Sequence, residues 1–344
     1  MRTFLEREFL PASVLEKVNE LRVSDPECSA RVAMARKRRG NLTSDGKLNI
    51  LAADHPARRV TKVGDDSLRM ANRHGYLARI VRVMQSDVVD GVMATMDVLE
   101  DLLVIHHLVL ESGGPALLDN RLLIASLNRG GLAGSTWEMD DPITGISPVN
   151  CARMNLDGAK LLLRICDDEP NSLDTILYCS EAISEMNGLG LPTFLEPLPI
   201  VKEKNNYKVV KTAAALARIV GVASALGDSS RHLWLKLPYC ESYQVVAGAT
   251  TLPILLLGGE SAGDATPLLR EISAGLAAGS NVRGALVGRN VLYPGDEDPF
   301  VIAQAAGLII HNNMTVDQAL NVQKPASDMN TLAGYFQRVT SQAM

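Results

Sequence analysis

Between residues 48 and 312 of this chain, eight short apolar runs alternate with helical patterns, and that alternation constrains the fold more than any other feature. The runs are 48–53, 91–94, 122–126, 159–165, 192–197, 231–238, 253–257 and 284–287. Helical periodicity covers 65–84, 99–110, 173–186, 212–225, 266–278 and 299–310. Runs that are apolar at nearly every position are buried on both faces, as in parallel sheets covered by helices. Eight such units predict a closed parallel (β/α)8 barrel. An open doubly wound sheet would not need eight units, and no G-x-G-x-x-G fingerprint follows the first run.

Residues 1–47 read as an N-terminal helical extension and 313–344 as a C-terminal helical tail. Within the extension, Ser24-Asp25-Pro26-Glu27 is a helix start, with a capping residue, a proline and an acid in the first turn. The run Arg36-Lys37-Arg38-Arg39 is expected to be a solvated helix end. Its alternative, a nucleic-acid patch, fits poorly with a formal net charge of -5. Five cysteines, an odd number without a C-x-x-C pair, fit reduced thiols in a cytoplasmic protein. Glu6, Arg7 and Glu8 argue against a signal peptide, and no run approaches the ~20 apolar residues of a membrane span.

Barrel chemistry sits where strands end. The ends here carry Asp54 and His55, Ser126 to Gly131, Lys160 and Arg164, Glu196, Lys236, Gly258 to Ser261, and Gly288 to Asn290. Pleating places Trp234 and Lys236 on one face of the sixth strand, so Lys236 points into the rim. It is either a lysine snorkelling from a strand end or an amine made nucleophilic by apolar surroundings and nearby cations. Lys160, Leu162 and Arg164 share a face of the fourth strand and would supply such cations. Glu196 serves either as their structural ion-pair partner or directly in catalysis. Asp54 is a candidate for holding a substrate hydroxyl or moving a proton, and His55 either shares that work or is a rim residue. Gly258, Gly259 and Glu260 after strand seven, with Gly288 and Arg289 after strand eight, predict an anion site built from backbone N–H groups and a guanidinium. No His-x-His, H-E-x-x-H or cysteine cluster supports a metal; His55 and His232 facing one another across the barrel is the remaining possibility. The loop 128–150 is long enough to be a lid.

Taken in order, Asp54, Gly158-Ala159-Lys160, Phe194-Leu195-Glu196, Leu235-Lys236, Gly258-Gly259 and Gly288-Arg289-Asn290 resemble a known group. It is the class I aldolases related to deoxyribose-phosphate, tagatose-bisphosphate and archaeal-type fructose-bisphosphate aldolases, which are (β/α)8 TIM barrels. The stretch Ala53-Asp54-His55-Pro56-Ala57-Arg58 resembles an actinobacterial branch associated with inositol catabolism. The resemblance implies that Lys236 forms a Schiff base with the substrate ketone and that Asp54 assists hydroxyl recognition and proton transfer. It further implies that Lys160 and Glu196 tune the amine, and that Gly259, Gly288 and Arg289 hold a phosphate. His55, Arg58 and Arg164 complete the expected substrate contacts. One position departs: where the fructose-bisphosphate branch has a proton-donating tyrosine on strand four, this chain has Arg164. Asp54, Glu196 or a water is then left for that work.

The expectation is a lyase that cleaves a phosphorylated keto sugar or keto sugar acid through the Lys236 imine, with no metal or other cofactor. The first substrate to consider is 5-dehydro-2-deoxy-gluconate 6-phosphate, giving dihydroxyacetone phosphate and malonate semialdehyde. A transaldolase-like carbon-transfer synthase and a non-catalytic phosphosugar-binding barrel are the alternatives. The expected partner is a phosphorylated small molecule, with no nucleic acid or membrane, and apolar outer helix faces make a homo-oligomer the default.

Overall fold

In the computed structural model, which describes residues 4–204, 206–261, 263–322 and 331–341, eight parallel strands close into a barrel. The strands are β1 Leu48–Ala53, β2 Gly91–Ala94, β3 Leu122–Ser126, β4 Gly158–Ile165, β5 Thr193–Glu203, β7 Leu233–Pro238, β8 Ile254–Leu257 and β9 Val282–Val287. The remaining strand, β6 Asn206–Val209, pairs antiparallel with the end of β5 and stands outside the barrel. Neighbours follow the order β4-β3-β2-β1-β9-β8-β7-β5, and β4 closes the ring on β5. The expected (β/α)8 TIM barrel with a helical extension is therefore the fold found.

Alternation along the strands builds the interior. Leu48, Ile50 and Ala52 of β1, Met93, Leu122, Ile124, Phe194, Leu255 and Leu286 form one apolar cluster inside the ring, with Trp234 against it. The next inward residues, two positions on, are Asp54 after Ala52, Ser126 after Ile124, Glu196 after Phe194, Lys236 after Trp234 and Gly288 after Leu286. One side-chain layer separates a hydrocarbon plug from an ionic floor.

Two elements depart from the sequence reading. The first helix after β1 begins at Arg73, not near residue 65, because Asn72 caps it by accepting from the Gly75 N–H at 3.0 Å. The preceding stretch is spent in turns, including a 3-10 turn at Arg69–Ala71. The fifth strand, expected to stop at Pro197, runs to Glu203 and turns back as β6. Prolines disfavour a central strand because they lack a donor, but carbonyls still accept: Pro199 O takes the Val210 N–H at 2.9 Å.

The extension folds as helices Glu6–Phe9, Ala12–Ser24 and Cys28–Ala35. It packs with the tail helix Thr331–Ser341 through contacts such as Phe9 with Phe336, their ring centroids 5.9 Å apart. The rest of the tail, at 323–330 and 342–344, lies outside the described residues. All five cysteines are buried and unpaired. Among the described residues, no helix is long and apolar enough to cross a membrane.

The basic run follows the helix end at Ala35 and is only in part solvated: Lys37 and Arg38 are exposed, but Arg36 is not. Arg36 is buried and meets Asp157 Oδ2 at 2.5 Å and the Arg121 and Asn155 carbonyls at 3.0 and 2.8 Å. Arg38 donates to Asp157 Oδ1 at 2.8 Å, and Arg39 meets Asp90 at 2.7 Å. Asp157 precedes β4 and Asp90 precedes β2, so the arginines fasten the extension to the strand starts at the bottom of the barrel. Asp157 also accepts the Leu123 N–H at 2.8 Å. Asp157→Ala leaves a buried guanidinium unpaired and is expected to cost about 3–5 kcal/mol, read as a lower urea midpoint.

Candidate active site

A cavity of about 620 Å³ opens where the strands end. Of the residues singled out from sequence, Asp54, His55, Arg58, Glu196, Lys236, Gly258, Gly259, Glu260, Gly288 and Arg289 all line it. Lys160 lies just beneath, fully buried, and reaches the site through Glu196.

The centre is one carboxylate between two amines. Glu196 Oε2 lies 2.9 Å from Lys236 Nζ and 2.7 Å from Lys160 Nζ. Burial alone would raise the Glu196 pKa, but the two ammonium neighbours outweigh it and hold the carboxyl well below its usual range. Burial pulls the Lys236 pKa down; Glu196 opposes this, while Arg129 and Arg289 add to it. Lys160 is displaced further in the same direction by burial and by Arg129, against the attraction of Glu196. Of the two amines that share Glu196, Lys236 is on the cavity wall and Lys160 is not, so of this pair Lys236 is the one placed to meet a substrate carbon.

Asp54, at the exit of β1, is equally well held. Its Oδ2 accepts from Ser126 Oγ at 2.9 Å, is paired with Arg129, and lies 3.6 Å from Lys160 Nζ. Arg129 was the residue missed: it stands in the polar exit of β3 noted above, but nothing in that exit's composition says that it turns inward while its neighbours build the loop. Lys208 and Lys211 were also missed, because they reach the cavity wall from the unforeseen β5–β6 hairpin and the residues after it.

The β8 and β9 exits meet. Asn290 Nδ2 donates to Gly259 O at 3.4 Å, and Arg289 approaches Glu260 at 3.6 Å. Gly288 is required by space: a Cβ there would stand 2.4 Å from Ala52 O and 2.6 Å from the His55 ring. His55 packs on that glycine, and burial, with Arg289 and Lys236 nearby, pushes its pKa well below the ordinary histidine value.

Arg164 stands apart from the expected substrate contacts. Its guanidinium turns into the 128–150 loop, bonding Glu138 Oε1 at 3.0 Å, the Glu138 carbonyl and Gly131 O at 3.3 Å. Arg58 holds the same loop, donating to Gly131 O at 2.8 Å, while also lining the cavity. Asn128 and Thr175 add bonds to Leu162 O and Met139 O, so the expected lid is stitched onto the barrel. His232 lies at the opposite end of the barrel, in a cleft with Trp234 and Arg231, and does not face His55. Among the described residues no group of three or more His, Cys, Asp and Glu is placed to hold a metal ion.

A buried amine paired with a carboxylate thus lies at the mouth of a (β/α)8 barrel, and proteins called aldolases are among those this chain resembles. A family profile described as Cgl0159-like matches residues 46–307, and the chain belongs to that family. The crystal structure of Cgl0159 from Corynebacterium glutamicum superposes with a TM-score of 0.82 at 33% identity, covering 89% of this chain and 99% of that one. An uncharacterized aldolase of Saccharolobus solfataricus is 32% identical over 143 residues, 41% of this chain. A 2-amino-3,7-dideoxy-D-threo-hept-6-ulosonate synthase of Archaeoglobus fulgidus is 30% identical over 89 residues, 26% of this chain. The chain spans about half (49%) of the first relative's length and about a third (32%) of the second's. An archaeal fructose 1,6-bisphosphate aldolase shares the fold, with a TM-score of 0.55 at 18% identity over 83% of this chain and 99% of that one.

The displaced lysine pKa has a direct readout. Below it Lys236 is an unreactive ammonium, and above it a free amine. Labelling of Lys236 by an amine reagent, followed by peptide mass spectrometry, is expected to rise through a midpoint below that of an ordinary lysine. In Glu196→Gln the carboxylate that favours the ammonium is gone, so the midpoint is expected to fall further.

Proposed function

We propose that this protein is a class I aldolase that cleaves a phosphorylated keto sugar or keto sugar acid through an imine on Lys236. The observation that carries the reading is Lys236 on the cavity wall, its Nζ 2.9 Å from Glu196 Oε2, with a second buried amine 2.7 Å from the same oxygen. An amine so placed is available as a nucleophile without leaving its site. A solved fold neighbour carries its catalytic lysine covalently bound to the carbinolamine intermediate of its substrate. In the proposed cycle Lys236 attacks the ketone carbon and water leaves to give the iminium. The iminium then draws in the electrons of the breaking carbon–carbon bond while a base takes the hydroxyl proton. Hydrolysis returns the amine. Asp54, fixed by Ser126 and Arg129, orients a substrate hydroxyl, and Lys160 with Glu196 sets the charge of Lys236.

The cavity favours an anion. Arg58, Arg129, Lys208, Lys211, Lys236 and Arg289 line it against Asp54, Glu196 and Glu260. A phosphate is assigned to Gly258, Gly259, Gly288 and Arg289, where backbone and guanidinium donors converge. The first candidate remains 5-dehydro-2-deoxy-gluconate 6-phosphate, yielding dihydroxyacetone phosphate and malonate semialdehyde, on the strength of the resemblance stated above. The Archaeoglobus relative is a synthase by name, which favours one second reading: transfer of the imine-bound carbon unit to another acceptor. The two differ in whether turnover requires a second aldehyde.

Borohydride added with dihydroxyacetone phosphate is expected to trap a covalent adduct on Lys236, located by mass spectrometry. Absence of an adduct with any phosphorylated ketose or keto acid would count against both readings. Lys236→Ala is expected to lose on the order of 10³-fold or more in kcat. Arg289→Ala is expected to raise KM roughly 10- to 100-fold, the loss of a charged hydrogen bond. Activity is expected to survive EDTA, and loss restored by zinc would replace the imine with a metal mechanism.

A further inference from the structure

Cleavage through an imine needs a group that takes a proton from the substrate hydroxyl and later returns one to carbon, and the ionised residues around Lys236 are poorly suited to it. Glu196 shares one oxygen between two amines, at 2.7 and 2.9 Å, and its acidity is strongly raised. Asp54 is held by a guanidinium, a hydroxyl and an ammonium group. Glu196 Oε2 and Asp54 Oδ2 are thus already engaged by cations and a hydroxyl and are not free to take a substrate proton. The arginines on the wall do not release protons at neutral pH, and no tyrosine is among the described residues that line the cavity. Arg164, at the position of the tyrosine in the resembled branch, is occupied with Glu138 and Gly131.

His55 differs from all of these. It lines the cavity beside Asp54, its ring rests on Gly288, and its Nδ1 is enclosed with no hydrogen-bond partner among the described residues. Nothing in the fold therefore fixes its tautomer or holds a proton on it. The charged groups that act on the ring come from four strands or their exits: Arg289 from β9, Lys236 from β7, Glu196 from β5 and Lys160 from β4. Three cations against one carboxylate favour the neutral imidazole, which both donates and accepts.

Resting on the aldolase reading above, we propose that His55 is the catalytic acid–base, the group that carries the proton between the substrate hydroxyl and the enamine carbon. In cleavage, the hydroxyl proton moves to a free imidazole nitrogen and the O–H electrons form the aldehyde C=O. The electrons of the broken carbon–carbon bond form the enamine on Lys236. The imidazolium then gives its proton to the enamine carbon, restoring the iminium, and water releases the ketone. No oxidant, reductant or metal enters the balance.

Two readouts on the full chain separate this role from the imine itself. Borohydride trapping of dihydroxyacetone phosphate reports Lys236, and exchange of that ketone's α-hydrogen with D₂O, followed by NMR, reports the proton carrier. His55→Gln is expected to trap the adduct within about threefold of wild type while exchange falls on the order of 10²- to 10⁴-fold. In His55→Ala, added imidazole is expected to restore part of the exchange, a rescue that a purely structural loss would not show. Wild-type exchange in His55→Gln, or a slow His55→Ala that folds and traps but is not rescued, would overturn the assignment and leave the imine standing. A wild-type protein that traps nothing would overturn the aldolase reading and this assignment with it.

Discussion

The site depends on one carboxylate being shared by two buried amines. β5 lies between β4 and β7, so a carboxylate on the middle strand has an amine available from each flank. Register completes the placement. Phe194 pairs with Trp234, and two residues further along each strand Glu196 stands beside Lys236. Lys160 pairs with Phe194, one layer lower, and its long side chain reaches the same oxygen from below. Two ammonium groups and one carboxylate in a dry interior carry an excess positive charge that desolvation penalises. Loss of a proton from either amine relieves it. Burial, with Arg129 and Arg289 nearby, holds Lys236 closer to its free-base form than an exposed strand-end lysine would be, against the pull of Glu196.

Much of this was legible in the sequence because the information is periodic. Alternation places Asp54, Glu196 and Lys236 on the inner face once the strands are known, and the strands are known because both their faces are apolar. What alternation does not specify is where a long side chain goes after it leaves the sheet. Arg129 turns into the floor, Arg164 turns into a loop, and Lys208 arrives from a hairpin; all three are basic residues near strand ends, with opposite outcomes. Arg36 was misread for a related reason. A basic run at a helix end looks solvated until its partner, Asp157, is found more than a hundred residues away.

The loop after β3 is held by a residue of the next strand. Arg164 of β4 fastens Glu138 and the Gly131 carbonyl to the rim. The same loop carries Arg129, which pairs with Asp54, and in the proposed reading the proton chemistry falls to a residue from another strand. Catalytic groups in a barrel come from several strand ends, so a role can pass from one strand to its neighbour while the scaffold stays unchanged.

The clamp at the bottom of the barrel bears on how the chain assembles. Arg36 is separated from Asp157 by 121 positions and Arg39 from Asp90 by 51. During synthesis the extension emerges first, yet its buried guanidinium has no counter-charge until β3 is complete and β4 is about to begin. Early helices must therefore wait, partly solvated, for almost half the barrel. Contacts this distant in sequence slow folding, because closing the intervening loop costs entropy before any contact repays it. The extension is in this sense a latch that closes on a partly assembled barrel, and removing it would leave Asp157 without its arginines while Asp90 would keep His311.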